Sequence, residues 1–477
     1  MRVGILTDFP SLALQSGPSL HTAFLHDGLT AKGHEVTLIG PETETAPREG
    51  TNTHLFRSVA YPSHPKLKVV VPRPIKQLVN APDLDIIHGQ LNNHSIEWAN
   101  WVRKMNRTAV INTNIIHLPT HSHFILSDKL YGSSVVREFT RHWARDVEKD
   151  FARMYNDGDG LVVQSRYMVD YWQERGVRVP MHVVGRPIDP RKFSAQPGAD
   201  PFPSHFKNGH RLVCVCRHDR EKNLEALLQM FDEHVAVRDE HATLTIIGDG
   251  HQHEQLVAIA EAARHADRIH FPGEVKHGGL IDWYAHADVF VYTSLSETFG
   301  NVVNEALWTG LPVVALHDRM GVAHQVVDGE NGYLVEPNRV DTGEIFAERC
   351  VALTSHRELR RRLGQNAANL ARQVSHPDVV VRRFEKIYES SIKRAHDEVR
   401  EPLSEASTLA QRKALIKHVA VWARYNYTLL LVANTAGKLG FGRRDHVSTL
   451  EAKPAPSRAE AAPAPPRQRA SLTGAAE

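Results

Sequence analysis

Two carboxylates separated by seven residues, Glu297 and Glu305, head the residues able to do chemistry. They sit in Ser294-Leu-Ser-Glu297-Thr-Phe-Gly300-Asn-Val-Val-Asn-Glu305-Ala-Leu-Trp-Thr-Gly310-Leu-Pro312. Carboxylates accept hydrogen bonds, and vicinal sugar hydroxyls offer them. Gly300-Asn301 is suited to open a helix whose first N–H groups and dipole attract an anion. A second set follows the apolar run Leu212–Cys216: Arg217 ends a strand, and Lys222 precedes a helix that Asn223 is placed to cap. A planar guanidinium and a point-charge ammonium beside a helix start suit a diphosphate. The blander alternatives are a surface Glu with an unrelated helix Glu, and plain surface basicity, since Arg220 lies in the same loop.

These residues need a scaffold that ends strands at one edge and starts helices there. Ala287–Tyr292 is a short β-branched apolar run of the buried parallel-strand type. Asn301–Trp308 reads as a helix, Gly310 as its stop, and Pro312 bars continuation before a strand from Val313. Arg2–Thr7, a helix to about Gly33, and His34–Ile39 make a βαβ unit, so ligands belong at the C-terminal ends of parallel strands. The loop around Gly17 lacks the dinucleotide fingerprint Gly-x-Gly-x-x-Gly. Strands are also expected at Asp83–His88, with His88 at the end, at Thr108–Asn112, Gly160–Ser165 and Val179–Gly185. His117, His121 and His123 follow the Thr108–Asn112 strand; His117 is the first choice to meet a substrate. Asp157 and Asp159 have metal-binding spacing but precede a strand, which fits a turn better.

The run from Phe271-Pro-Gly-Glu-Val275 to Asp328-Gly-Glu-Asn-Gly332-Tyr-Leu-Val335 resembles the retaining glycosyltransferases of family 4. Their signature is two Glu separated by seven residues, flanked as Glu297 and Glu305 are. The resemblance implies a GT-B fold: two Rossmann-like parallel-sheet domains facing a cleft, with a C-terminal helix crossing back. The expected division is an acceptor-side domain 1–195, a linker 196–209, a donor-binding domain 210–375 and a crossover helix 376–399, then a basic amphipathic segment 400–450 and a disordered tail 451–477. It implies that Arg217 and Lys222 hold the diphosphate and that Glu305 accepts from the ribose. Glu297, Phe299, Gly300, Asn301 and Val302 would meet sugar and phosphate, Val275 and Lys276 would lie near the base, Gly17 would approach the phosphate, and His117 would touch the transferred sugar. Where family members have Asn-Gly-x-Asp, this chain has Arg186-Pro-Ile-Asp189. No cofactor or metal is implied; a UDP- or GDP-linked hexose is the substrate. The implied reaction is hexosyl transfer with retention. Rival readings are a non-catalytic nucleotide-sugar-binding scaffold and a same-fold epimerase.

The 477 residues suit two or three domains, and a net charge of +2 gives no bulk attraction for nucleic acid. The three Cys form no metal pattern; Cys214 and Cys216 are expected on opposite sides of a strand. Cysteine usage fits a reducing cytosol, and the first residues read as a strand rather than a signal peptide. From Ala406 to Arg444 there are seven Lys or Arg and no Asp or Glu. Lys413, Lys417 and Arg424 gather on one helical side, Leu415, Val419 and Trp422 on another. That suits either an interfacial membrane helix or an accessory helix packed on the protein. Tyr61–Pro72 is similar to a loop in diacylglycerol-directed family members, so a lipid or membrane-linked glycan acceptor and a peripheral place at the inner membrane face are expected.

Overall fold

The structure, a computed structural model, describes residues 1–12, 17–61, 64–70, 81–90, 95–115, 117, 134–193, 196–275, 277–397 and 401–438. Two parallel sheets carry these residues. The first contains β1 (Arg2–Thr7), β2 (Glu35–Pro41) and β3 (Asn52–Phe56). A two-stranded antiparallel hairpin, β4 (Ser58–Tyr61) and β5 (His64–Val70), stands apart from it. The sheet continues with β6 (Ile86–Gln90), β7 (Ala109–Thr113), β8 (Gly160–Val163) and β9 (Met181–Val183). Its order is β3-β2-β1-β6-β7-β8-β9. The second sheet holds β10 (His210–Val215), β11 (Ala242–Ile247), β12 (Ile269–Gly273), β13 (Val289–Tyr292), β14 (Val313–Leu316) and β15 (Gly332–Val335). Its order is β12-β11-β10-β13-β14-β15. The apolar runs read from the sequence are these strands; β6, β7, β8, β11, β13 and β14 are buried along their whole length.

Both sheets reverse direction of growth once, between β1 and β6 and between β10 and β13. In such sheets a crevice opens beyond the carboxyl ends of the two strands at the reversal. The loops after β10 and β13 are those carrying Arg217–Lys222 and Glu297–Gly300. The loop after β1 leads to α1 (Gly17–Ala31), which starts at Gly17. The topology therefore gathers the sequence's candidates at one rim of each lobe.

The other helices that matter are α2 (Ile96–Asn106), α3 (Arg166–Glu174), α4 (Asn301–Trp308), α5 (Arg357–Ser375), α6 (Pro377–Asp397) and α7 (Thr408–Lys438). Helix α6 crosses back as expected: Val380, Phe384, Ile387 and Tyr388 are buried in the first lobe's core. The stretch 196–209 is anchored, because Phe202 and Phe206 are buried in the second lobe's core.

Helix α7 lies on α2. Trp422 is 1% exposed and meets the Phe56 ring edge-on at 5.8 Å. His418 Nδ1 lies 2.6 Å from Glu97 Oε2, and Arg153 Nη2 donates to Glu97 Oε1 at 2.5 Å. Burial opposes ionisation of Glu97, but these two partners hold its carboxyl below the ordinary value. No helix of the described residues is long and apolar enough to cross a membrane.

Three expectations are corrected. Cys214 in β10 and Cys216, one residue past its end, point the same way: the Cys216 thiol bonds that of Cys214 and raises its pKa, as does burial. Side chains alternate with period two, so residues two apart point the same way. Asn223 does not cap a helix with its side chain; it is left-handed (φ 56°), and its Nδ2 donates to the Thr293 carbonyl at 3.4 Å. His88 lies inside β6 rather than at its end, fully buried, with Nδ1 2.8 Å from Tyr388 Oη and Nε2 2.6 Å from Thr113 Oγ1. It ties α6 to the sheet.

Candidate active site

Gly300 adopts φ 84°, ψ 71° at the start of α4, a left-handed turn that only glycine enters freely. Its carbonyl accepts from the N–H groups of Val303 and Asn304 at 3.1 and 3.2 Å. The N–H groups of Asn301 and Val302 are the helix's first, and such groups have no intrahelical acceptor. Phe299 is buried just before the turn, and Gly321 packs against it. A Cβ on Gly321 would fall 2.5 Å from Phe299 Cα and N, so only glycine fits there. The Gly321 N–H donates to the Glu297 carbonyl at 2.7 Å, fixing the loop from behind.

Glu297 is brought together with Lys222. The Lys222 ammonium pairs with Glu297 Oε1, which also accepts from Tyr292 Oη at 2.8 Å and Ser294 Oγ at 3.0 Å. Burial works to lower the Lys222 pKa, but Glu297 and Glu221 outweigh it and the ammonium stays charged above its ordinary range. Arg217 stands beside them, half exposed, paired with Asp219 and, at 2.8 Å, with Glu221 Oε1. Both cations are thus paired with carboxylates, and through Glu297 the Lys222 ammonium is tied to the loop that leads into α4.

Glu305 points to another side of α4, into a cavity of about 60 Å³ between the lobes. Asn301, Asn304 and Glu305 line it from the second lobe, and His21, Arg186 and Lys192 from the first. Arg217 and Lys222 are not among the residues that line it. Glu305 is 6% exposed and accepts from Tyr284 Oη at 3.0 Å. Burial pushes its pKa up to about 8.

The lobes meet around the same helix. Thr298 Oγ1 donates to the Ile115 carbonyl at 3.0 Å, and Asn304 Nδ2 to the Arg186 carbonyl at 3.2 Å. His117, two residues beyond Ile115, is partly buried and meets the Tyr171 ring of α3 edge-on at 4.9 Å. His121, His123 and Lys276 lie outside the described residues. Val275 packs against the second lobe's core. Asp159 is held by Arg103 through two 2.8 Å bonds, a structural task. Among the described residues no three His, Cys, Asp or Glu side chains are grouped to hold a metal.

Sequence reasoning missed His21 and passed over Arg186. Arg186 carried a signal, the departure from Asn-Gly-x-Asp. His21 carried none, since nothing in α1 announces that the other lobe closes over it.

Two facing parallel-sheet lobes with a cleft at their switch points define the GT-B architecture. The description "Glycosyltransferase Family 4" matches residues 16–192, and "Glycosyl transferases group 1" matches residues 200–370. The chain belongs to these family 4 glycosyltransferases. It is 25% identical over 331 residues to an alpha-monoglucosyldiacylglycerol synthase of Streptococcus pneumoniae, 66% of this chain and 71% of that protein. It is 26% identical over 304 residues to a GDP-mannose-dependent alpha-mannosyltransferase of Mycolicibacterium smegmatis, 61% of this chain and 72% of that protein. Among solved structures, Anabaena HepE in complex with UDP superposes with a TM-score of 0.61 at 16% identity, over 82% of this chain and all of that one. Sucrose-phosphate synthase of Thermosynechococcus elongatus gives a TM-score of 0.61 at 18% identity, over 83% of this chain and all of that one.

Proposed function

We propose that this glycosyltransferase moves a hexose from a nucleoside-diphosphate sugar to a lipid or membrane-linked glycan, with retention at the anomeric carbon and without a metal. The observation that carries the reading is the start of α4. The loop before it holds Glu297 paired with Lys222, Arg217 belongs to the same loop as Lys222, and Glu305 on the helix lines the cavity between the lobes. Breaking the sugar–phosphate bond puts negative charge on the departing nucleoside diphosphate. Pre-placed cations and a helix N-terminus stabilise that charge as it forms. Glu305 accepts from the ribose hydroxyls, Glu297 presents Lys222 and faces the sugar, and His117 stands on the acceptor side.

The acceptor reading draws support from one edge of the first lobe. Helix α7 lies beside β5 of the hairpin, the region similar to diacylglycerol-directed members. Its outward side exposes Leu409 and Ile416 among Arg412, Lys413, Lys417 and Arg424. Exposed aliphatic groups among cations suit an anionic membrane surface. The synthase and mannosyltransferase relatives are named for a diacylglycerol product and a GDP-mannose donor, which makes both acceptor and donor classes reasonable here. The test measures UDP and GDP release with a panel of nucleotide sugars and lipid acceptors. Release that depends on one donor and a lipid acceptor is expected; no release from any combination by folded protein overturns the proposal.

A further inference from the structure

The cavity beside Glu305 contains two first-lobe groups whose chemistry the protein itself leaves unanswered. Arg186 is buried, at 9% exposure, and burial pulls its pKa down to about 10. Among the described residues its guanidinium finds only the amide oxygen of Gln164, at 2.9 and 3.2 Å with that amide in its satisfying orientation. Among the described residues no carboxylate pairs with it, although Glu297 lies near enough to favour its charge. A buried cation without a bonded counter-charge is costly, and such sites keep one where an anion arrives. His21 is 8% exposed, and both ring nitrogens are buried with no hydrogen-bond partner. Burial and Arg186 lower its pKa to about 3, so it is neutral, with one donor and one acceptor to offer. That pair matches a hydroxyl. Across the same cavity stand the Glu305 carboxyl, an acceptor, and the start of α4.

We propose that the first lobe completes the donor site: Arg186 donates to the diphosphate of the bound nucleotide, and His21 hydrogen-bonds its ribose. The proposal rests on the nucleotide-sugar reading above and adds two residues to it. The turn that carries Arg186 is locked to α4, because Ile188 N–H donates to the Ser375 carbonyl at 2.9 Å and Ser375 Oγ to Asn304 Oδ1 at 3.0 Å. These bonds hold the Arg186 turn against α4.

The test is calorimetric titration of the full chain with UDP, GDP, UMP and GMP. For Arg186→Met, affinity for the preferred diphosphate is expected to fall about 10- to 100-fold, the range for a hydrogen bond to a charged group. The loss for the monophosphate should be smaller. Thermal stability should hold or rise, because an uncompensated buried charge is removed. Arg186→Lys, which keeps charge but not the fork, should lose less, and it serves if the Met variant does not fold. His21→Phe should weaken diphosphate and monophosphate nucleotides alike, by about 5- to 10-fold. Wild-type protein that binds UDP or GDP while Arg186→Met and His21→Phe bind it equally well overturns this inference and leaves the transferase reading standing. Equal losses of mono- and diphosphate for Arg186→Met show a structural role and overturn it too. Wild-type protein that binds neither UDP nor GDP removes the reading beneath it.

Discussion

Replacing Glu305 by Gln should change how stability depends on pH. Glu305 is buried on α4, and burial lifts its pKa from an ordinary 4.5 to about 8. The folded-state value lies above the unfolded one, so the native protein holds a proton that the unfolded chain releases. The stabilisation is complete below about pH 4.5 and is lost as pH rises through about 8. That gap is worth on the order of 5 kcal/mol at about 1.4 kcal/mol per tenfold change in proton affinity. Gln has the same shape and still accepts from Tyr284, yet never ionises. The two proteins should therefore melt alike at pH 5. By pH 8.5 the Gln variant should melt roughly 10–20 °C higher, taking about 2–4 °C per kcal/mol for a lobe of this size. Calorimetric scans across that pH range are the assay. Parallel Tm curves for the two proteins would refute the argument that Glu305 is held largely protonated. The same carboxyl gives a binding signature: ribose hydroxyls donate to its ionised form, so nucleotide binding at pH 7 should expel a proton. Titrations in two buffers of different ionisation enthalpy read that proton.

Glu297→Gln should cut turnover at least ~100-fold with nucleotide binding retained within a few-fold, the split that separates a transferase from a binding scaffold. Lys222→Met should weaken UDP or GDP by about 10- to 100-fold, measured by titration, because a charged donor is removed beside the helix start. Gly321→Ala should lower stability by about 1–3 kcal/mol in denaturant unfolding, since its methyl would meet the Phe299 backbone at 2.5 Å. The pair Lys413→Glu and Lys417→Glu should reduce binding to anionic vesicles at least about 30-fold, at about 1 kcal/mol per basic residue, with binding of the nucleotide unchanged.

Most of the fold was legible because buried parallel strands write themselves as apolar β-branched runs, as Val289–Tyr292 and Val313–Leu316 do. Helix α4 was legible to the residue because Gly300 and Gly310, both left-handed, bracket it. That Lys222 and Glu297 lie in loops after neighbouring strands was legible, but their ion pair was not. What was hidden depended on contacts between distant segments. Glu97 as the partner of His418 could not be read from a helical wheel, which shows the packed face but not what it packs on. Asn223 has a capping side chain, but the loop's left-handed turn takes it elsewhere. His21 looked like any helix histidine until the second lobe closed over it.

The most direct measurement is a crystal structure of the protein grown with UDP or GDP. The account expects the diphosphate at the start of α4 between Arg217 and Lys222, with ribose hydroxyls on Glu305. A nucleotide bound away from α4, or bound there with its phosphates turned from both cations, would contradict it.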